Sequence, residues 1–214
     1  MRLYTYFRSS AAWPVRIALA LKGMGPEQAF VHLLRGGGEQ HAPAYRAKNP
    51  MGAVPLLEFD DGAVLTQSLA IIEWLEETHP IPPLLPADPL AKARVRAFAL
   101  AIACDIHPLN NLRVLRYLKH AMGQSDEARD TWYRHWIAEG LTALEALLPD
   151  DGAGPFCFGD TPGMADICLV PQMANARRYY CPLDAYPRLL RAEAAALALP
   201  AFRDTAPDRQ PDAS

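Results

Sequence analysis

The sequence predicts two parts of different class, a compact α/β unit followed by an all-helical unit. Three observations carry this. Strand-like and helical patterns alternate only as far as residue 78. Five prolines then crowd residues 80–89, PIPPLLPADP, where each removes an amide donor and fixes its backbone, so the segment reads as an extended linker. Beyond them the chain is rich in Ala, Leu and Arg with helical period, and no strand signal returns.

Within the first part, residues 2–7 (RLYTYF) read as a strand, 11–23 as an amphipathic helix and 27–34 (EQAFVHLL) as a second strand. The glycine-rich RGGGEQ at 35–40 is expected to be a mobile loop. Residues 54–59 (VPLLEF) and 63–65 flank Asp60-Asp61-Gly62, and an Asp-Gly pair between apolar runs signals a hairpin. Leu69, Ile71, Ile72 and Leu75 recur at helical spacing over 68–78. The order gives a parallel pair plus an antiparallel pair. In the second part, helices are expected over 89–122, 126–148, about 163–180 and about 186–198. Asp166 falls in the first turn of the third of these, three residues after Gly163, where a carboxylate bonds back to unpaired amides. That marks a folding element. The last residues, PDRQPDAS at 207–214, are polar and read as a disordered tail.

Composition narrows the function. Of 214 residues, half are hydrophobic and about a fifth charged, with a net charge of −3 and no basic run longer than Arg177-Arg178. Nucleic acid is therefore not an expected partner. No stretch approaches the roughly 18–20 apolar residues of a membrane span, and MRLYTYF lacks the apolar core of a signal peptide, so no membrane association and a cytoplasmic location are expected. Cys104, Cys157, Cys168 and Cys181 form no CxxC pair and read as reduced packing residues.

Four polar features remain. Ser9 and Ser10 open the helical string SSAAWPVRIAL at 9–19, and a helix mouth with unpaired amides favours a thiolate, a carboxylate or a phosphate. Val54-Pro55 is either an edge-strand proline or a cis-proline that turns the preceding backbone toward an extended ligand. Gln67-Ser68 is either a helix cap or a second anion site at a helix start. Asp105, His107, Asn110 and Asn111 cluster in CDIHPLNN at 104–111, as satisfied core groups or as a ligand-facing patch, with no zinc-site spacing and no metal expected.

Taken together, SSAAWPVRIAL, NPMGAVP at 49–55, QSLAIIEWLEE at 67–77 and FGDTPGMADICLVPQ at 158–172 resemble the zeta class of glutathione transferases, which includes the maleylacetoacetate and maleylpyruvate isomerases. The resemblance spans essentially the whole chain. It implies the glutathione transferase fold: a thioredoxin-like glutathione-binding domain at 1–81, a linker at 82–87 and an all-helical substrate domain at 88–206, ahead of the polar tail. It implies glutathione as cofactor, with Ser9 donating to its thiolate and Ser10 close by. Val54, and the backbone N–H of Ala11, would also face glutathione. Gln67 and Ser68 would hold its γ-glutamyl carboxylate and Gln40 its glycyl end, while Asp105, His107, Asn111 and Arg113 would line the pocket from the helical domain. CDIHPLNN resembles the bacterial maleylpyruvate isomerases more than the animal maleylacetoacetate enzymes.

The reaction so implied is cis-trans isomerisation of maleylpyruvate or maleylacetoacetate in aromatic-compound catabolism, by reversible thiolate addition to the cis double bond. Its substrate is a small cis-enedione dicarboxylate, and Arg8 and Arg178 are the implied carboxylate clamps, because Arg binds carboxylates bidentately. Arg177 is the weaker choice of the late pair. Two positions depart from the family pattern: Ala11 stands where cysteine or threonine is usual and Pro14 where arginine is usual. A homodimer is expected by the same resemblance. Competing readings are a transferase that conjugates or dehalogenates small electrophiles, and a non-catalytic glutathione-binding protein.

Overall fold

The computed structural model describes residues 1–149 and 154–213. They form two compact units, one of residues 1–83 together with 199 onward, the other of residues 84–198.

The first unit is built on four strands, β1 (Arg2–Thr5), β2 (Glu27–Phe30), β3 (Leu56–Glu58) and β4 (Val64–Thr66), in the order β2-β1-β3-β4. β1 pairs parallel with β2 and antiparallel with β3, and β3 pairs antiparallel with β4. Helices α1 (Ala12–Leu21) and α3 (Ser68–Thr78) supply the apolar layer: Val15, Ile17 and Ala18 of the first and Ile71, Ile72 and Leu75 of the second are fully buried with Leu56 and Leu57. Pro14 lies in the first turn of α1, where its missing N–H is tolerated.

Between β2 and β3 the structure differs from the expected loop. Short 3₁₀ turns at Arg35–Gly37 and Glu39–His41 lead into α2 (Pro43–Lys48), which begins on Pro43. A Cβ on Gly38, whose φ is +114°, would stand 2.5 Å from Gln40 Nε2, so glycine is required there for Gln40 to turn inward.

The second unit is all-helical: α4 (Pro89–Leu100), α5 (Leu112–His120), α6 (Asp126–Leu147), α7 (Met164–Arg178) and α8 (Pro187–Leu197). The single helix expected over 89–122 is broken. It passes into a π-helical segment, Ala101–Ile106, turns through His107–Asn110, and restarts where Asn111 Oδ1 accepts the Arg113 N–H at 3.0 Å. Pro108 cannot donate in that turn and Asn111 caps a new start, so the apolar period reads through a break that backbone chemistry imposes. Other starts follow their capping residues, Asp88 accepting from Ala91 N–H (2.8 Å) and Ser125 from Ala128 N–H (3.1 Å).

Asp166 holds the start of α7. Its carboxylate accepts the N–H of Gly163 at 2.9 Å and of Cys157 at 2.8 Å, and the residue is 1 % exposed. Gly163 is favoured over a Ser or Thr cap because a Cβ there would sit 3.0 Å from the Leu84 carbonyl, which itself accepts Met164 N–H. Asp166→Ala is expected to strand two buried donors and lower stability by about 3 kcal/mol, a fall in Tm of roughly 6–12 °C for a chain of this size, read by thermal denaturation.

The tail is also different from its reading. Short helix α9 (Pro200–Arg203) buries Phe202, a 3₁₀ turn covers Pro207–Arg209, and Asp212 accepts the Phe7 N–H at 2.9 Å. Residues 199 onward therefore join the first unit and not the helical one. Composition made the segment polar, yet its few apolar and hydrogen-bonding groups find partners on α1 and the end of β1.

The four cysteines are free. Burial pushes the Cys157 thiol well up and that of Cys168 up to about 12, as packing cysteines should behave. Cys104 is exposed, against expectation, on the π-helical segment.

Candidate functional site

In the first unit, strand directions gather the expected glutathione-site residues at one end of the sheet. β1 ends there, antiparallel β3 begins there and β4 ends there, since Leu56 stands opposite both Tyr4 and Thr66. Ser9 follows β1, Val54 precedes β3 and Gln67-Ser68 follows β4. Tyr6, Ala12, Val31, Tyr45 and Val54 form one buried cluster beneath this end.

Ser9 stands at the mouth of α1. Its Oγ accepts the Ala12 N–H at 3.1 Å and its carbonyl accepts the Trp13 N–H at 2.9 Å. Accepting uses an oxygen lone pair, so the hydroxyl proton is left to donate, at the positive end of the helix dipole. Ser10 and Ala11 complete this turn, both half-buried. Arg8 is exposed, with Nη2 3.3 Å from the Tyr6 hydroxyl and its guanidinium over the Phe7 ring. It pairs with no carboxylate among the described residues.

Val54-Pro55 is a cis peptide bond ahead of β3. The carbonyl just before Val54, of Ala53, is fixed by the Tyr45 hydroxyl and the Asn49 amide, each at 2.7 Å. Gln67 has φ +72° and ψ 123°, a conformation that costs a non-glycine residue about 1–3 kcal/mol. Its side chain does not cap α3, and Ser68 is the first helical residue and not the cap. The start of α3 is thus left open to an anion. Gln40 is buried, and its Oε1 has no hydrogen-bond partner. An orphaned buried acceptor, an uncapped helix start and a free hydroxyl proton together fit a ligand bearing N–H groups, a carboxylate and a thiolate. Glutathione has all three.

The second unit holds the remaining candidates. Asp105 is exposed on the π-helical segment and Arg113 is exposed on α5. The Asn111 side chain is committed to capping α5. His107 Nε2 is buried with no hydrogen-bond partner, as is Nε2 of Gln172 on α7. Burial pushes the His107 imidazole down to about 4, with Gln172 pulling it the other way, so the ring is neutral near pH 7. The unfolded chain then binds a proton that the folded chain refuses between pH 6.5 and 4. Stability is expected to fall across that window as pH drops, by roughly 3 kcal/mol from this residue at 1.36 kcal/mol per pH unit. His107→Gln should flatten that part of the urea-midpoint profile, and an unchanged profile would show that the ring titrates as in solution.

Arg178 lies at the end of α7. Its Nη2 is 3.3 Å from the Tyr133 hydroxyl, and its guanidinium covers the Tyr179 ring, which stacks on Tyr133 at 3.5 Å. Arg177 is spent on both carboxylate oxygens of Glu193. Of the two arginines, Arg177 is thus paired, while Arg178 pairs with no carboxylate among the described residues. Tyr133 and Tyr179 were not legible as site residues; only their proximity to Arg178 in space brings them forward. No group of three metal-ligating side chains occurs among the described residues, and no helix there is long and apolar enough to cross a membrane.

Family models for the glutathione S-transferase N-terminal and C-terminal domains match residues 8–78 and 126–192. The chain is 50% identical to the maleylacetoacetate isomerase of Pseudomonas aeruginosa over 212 residues, covering 99% of this chain and 98% of that one. The chain belongs to the zeta-class glutathione transferase family. Among solved structures of this family, the holo form of a bacterial maleylpyruvate isomerase is 47% identical with a TM-score of 0.95 and full coverage of both chains. The maleylacetoacetate isomerase of Methylobacterium extorquens AM1, solved with malonate and glutathione bound, is 42% identical with the same TM-score and coverage. The transferase fold expected from the sequence, an α/β domain followed by a helical one, is the fold observed.

Proposed function

We propose that the chain is a glutathione-dependent cis-trans isomerase of maleylpyruvate or maleylacetoacetate, with residues 1–81 binding the cofactor and the helical domain the substrate. The observation that carries this is the Ser9 hydroxyl, fixed as an acceptor from Ala12 N–H and therefore free to donate at a helix N-terminus. Bound glutathione supplies a thiolate that adds to the cis double bond, permits rotation about the resulting single bond, and is eliminated unconsumed.

The protein's part is electrostatic. Free thiols of this kind ionise near pH 8.5, and lowering that by about two units needs roughly 2.7 kcal/mol. A charge-assisted hydrogen bond from Ser9 with the α1 dipole is of that size. Ala11 offers only its backbone, so Ser9 and the helix-start amides carry the stabilisation. Gln67, Ser68 and Gln40 anchor the two ends of the tripeptide, and the Val54 backbone pairs with its middle. Arg8 and Arg178 each carry a charge suited to a substrate carboxylate. His107 acts as a neutral hydrogen-bonding group. Asp105, Arg113 and the Asn111 Nδ2 group, whose partner Oδ1 caps α5, are the remaining ligand-facing groups of the helical domain, and a homodimer is the assembly this family membership supports.

A spectrophotometric assay of both maleylpyruvate and maleylacetoacetate, with and without glutathione, tests the reading. Glutathione-dependent loss of at least one cis isomer is expected. Glutathione consumed in step with substrate would instead identify a conjugating transferase.

A further inference from the structure

Residues 199–213 grip the segment that carries Ser9. Trp13 Nε1–H donates to Thr205 Oγ1 at 3.1 Å, and Arg16 Nε–H to the Thr205 carbonyl at 3.2 Å. The rest of the Arg16 guanidinium, 3 % exposed on α1, donates to Thr5 Oγ1 (2.9 Å), to the Tyr6 carbonyl (3.2 Å) and to the Phe7 carbonyl (2.9 Å). From the opposite side Asp212 Oδ2 accepts the Phe7 N–H at 2.9 Å. Asp212 Oδ1 is buried without a hydrogen-bond partner, and the Asp212 charge acts on Arg16. Both main-chain polar groups of Phe7 are thus held by ionised side chains, and such bonds are roughly twice as strong as neutral ones. Ser9 N–H donates at 3.0 Å to the Tyr6 carbonyl, the same oxygen that Arg16 holds. One shared carbonyl separates the charge pair from the candidate thiolate donor.

We propose that Arg16 and Asp212 are positioning residues for the Ser9 hydroxyl, so that the last residues of the chain support the nucleophile. This rests on the reading of Ser9 given under Proposed function. The Tyr6 carbonyl and the Phe7 N–H belong to one planar peptide group, so Arg16 and Asp212 hold that group from its two ends, two residues before Ser9. Without the tail carboxylate only the Arg16 end remains held, and small misplacements of a reacting group are costly.

The test compares Asp212→Ala and Asp212→Asn in the full-length chain. Amide hydrogen exchange at Phe7 and Ser9 is read without glutathione; kcat, glutathione Kd and the thiolate absorbance of bound glutathione against pH are read with it. In Asp212→Ala, protection at both amides and kcat are expected to fall about tenfold, and the thiol is expected to ionise about one pH unit higher. Glutathione Kd read at about pH 5.5, where the bound thiol is protonated in both proteins, should stay within about twofold, because Gln40, Gln67 and Ser68 hold the ligand's ends. Asp212→Asn keeps an oxygen for Phe7 N–H and should recover most of the protection and kcat. Unchanged Ser9 exchange and thiol ionisation in Asp212→Ala would overturn the proposal. So would a loss that Asp212→Asn does not recover. If the native chain bound no glutathione, the functional reading would fall, while the exchange measurement would still decide whether Asp212 orders residues 7–9.

Discussion

Ser9→Ala is expected to lower kcat for the isomerisation by about 10²–10³-fold, the usual cost of removing one preorganised donor to a reacting charge. Two consequences separate this from a folding defect. Ser9 Oγ also accepts the Ala12 N–H, so the variant loses about 1 kcal/mol of helix-start stability, or roughly 2–4 °C in Tm. That is far too little to explain the activity lost at 25 °C. The thiolate absorbance of bound glutathione should also appear only at higher pH than in the native protein. Ser10→Ala serves as the comparison, because its hydroxyl makes no corresponding bond to the start of α1, and its effect should be much smaller. Equal losses in the two variants would move the donor role from Ser9 to the turn as a whole.

Replacing Arg8 and Arg178 by Met is the second large expected effect. Each is exposed, and neither pairs with a carboxylate among the described residues, so their charges remain available to a ligand. Removing one is expected to reduce kcat/KM for the dicarboxylate by about 30-fold, near 2 kcal/mol, the lower end for truncating one side of a charge pair. Lysine at either position should recover part of this and not all, since it cannot present a bidentate fork. Conjugation of a neutral electrophile should be nearly unchanged in the same variants. Equal loss on both substrates would mean that the arginines support the fold or the cofactor and do not read the substrate. Arg177→Met is the control: it breaks the pair with Glu193 and should affect stability more than selectivity.

Much of this was legible in the sequence where local chemistry and tertiary structure agree. The Asp-Gly hairpin, the apolar period of Ser68–Thr78 and the placement of Asp166 over the start of α7 all depend on neighbours within a few residues. The failures share a cause as well. The break between α4 and α5 hides under a continuous helical period, because the π-helical segment keeps its apolar residues on the core side while Pro108 and Asn111 reset the backbone. The tail looked idle because its partners, Trp13, Arg16 and Phe7, lie about two hundred residues earlier. Gln67 could be named as a ligand from its motif, but its left-handed backbone is imposed by the strand before it and the helix after it. Nothing near Arg177 in the sequence marks its pairing, because Glu193 lies a helix away on α8.

Glutathione that acts as a catalyst is returned unconsumed after each turnover. Counting product against free thiol in one reaction tests it most directly, with the cis-enedione dicarboxylate in large excess over glutathione. Nearly all substrate is expected to become the trans isomer while the thiol concentration stays constant, and Ser9→Ala should slow this without changing the ratio. Thiol lost one for one with substrate, or isomerisation that proceeds as fast with no glutathione present, would contradict it.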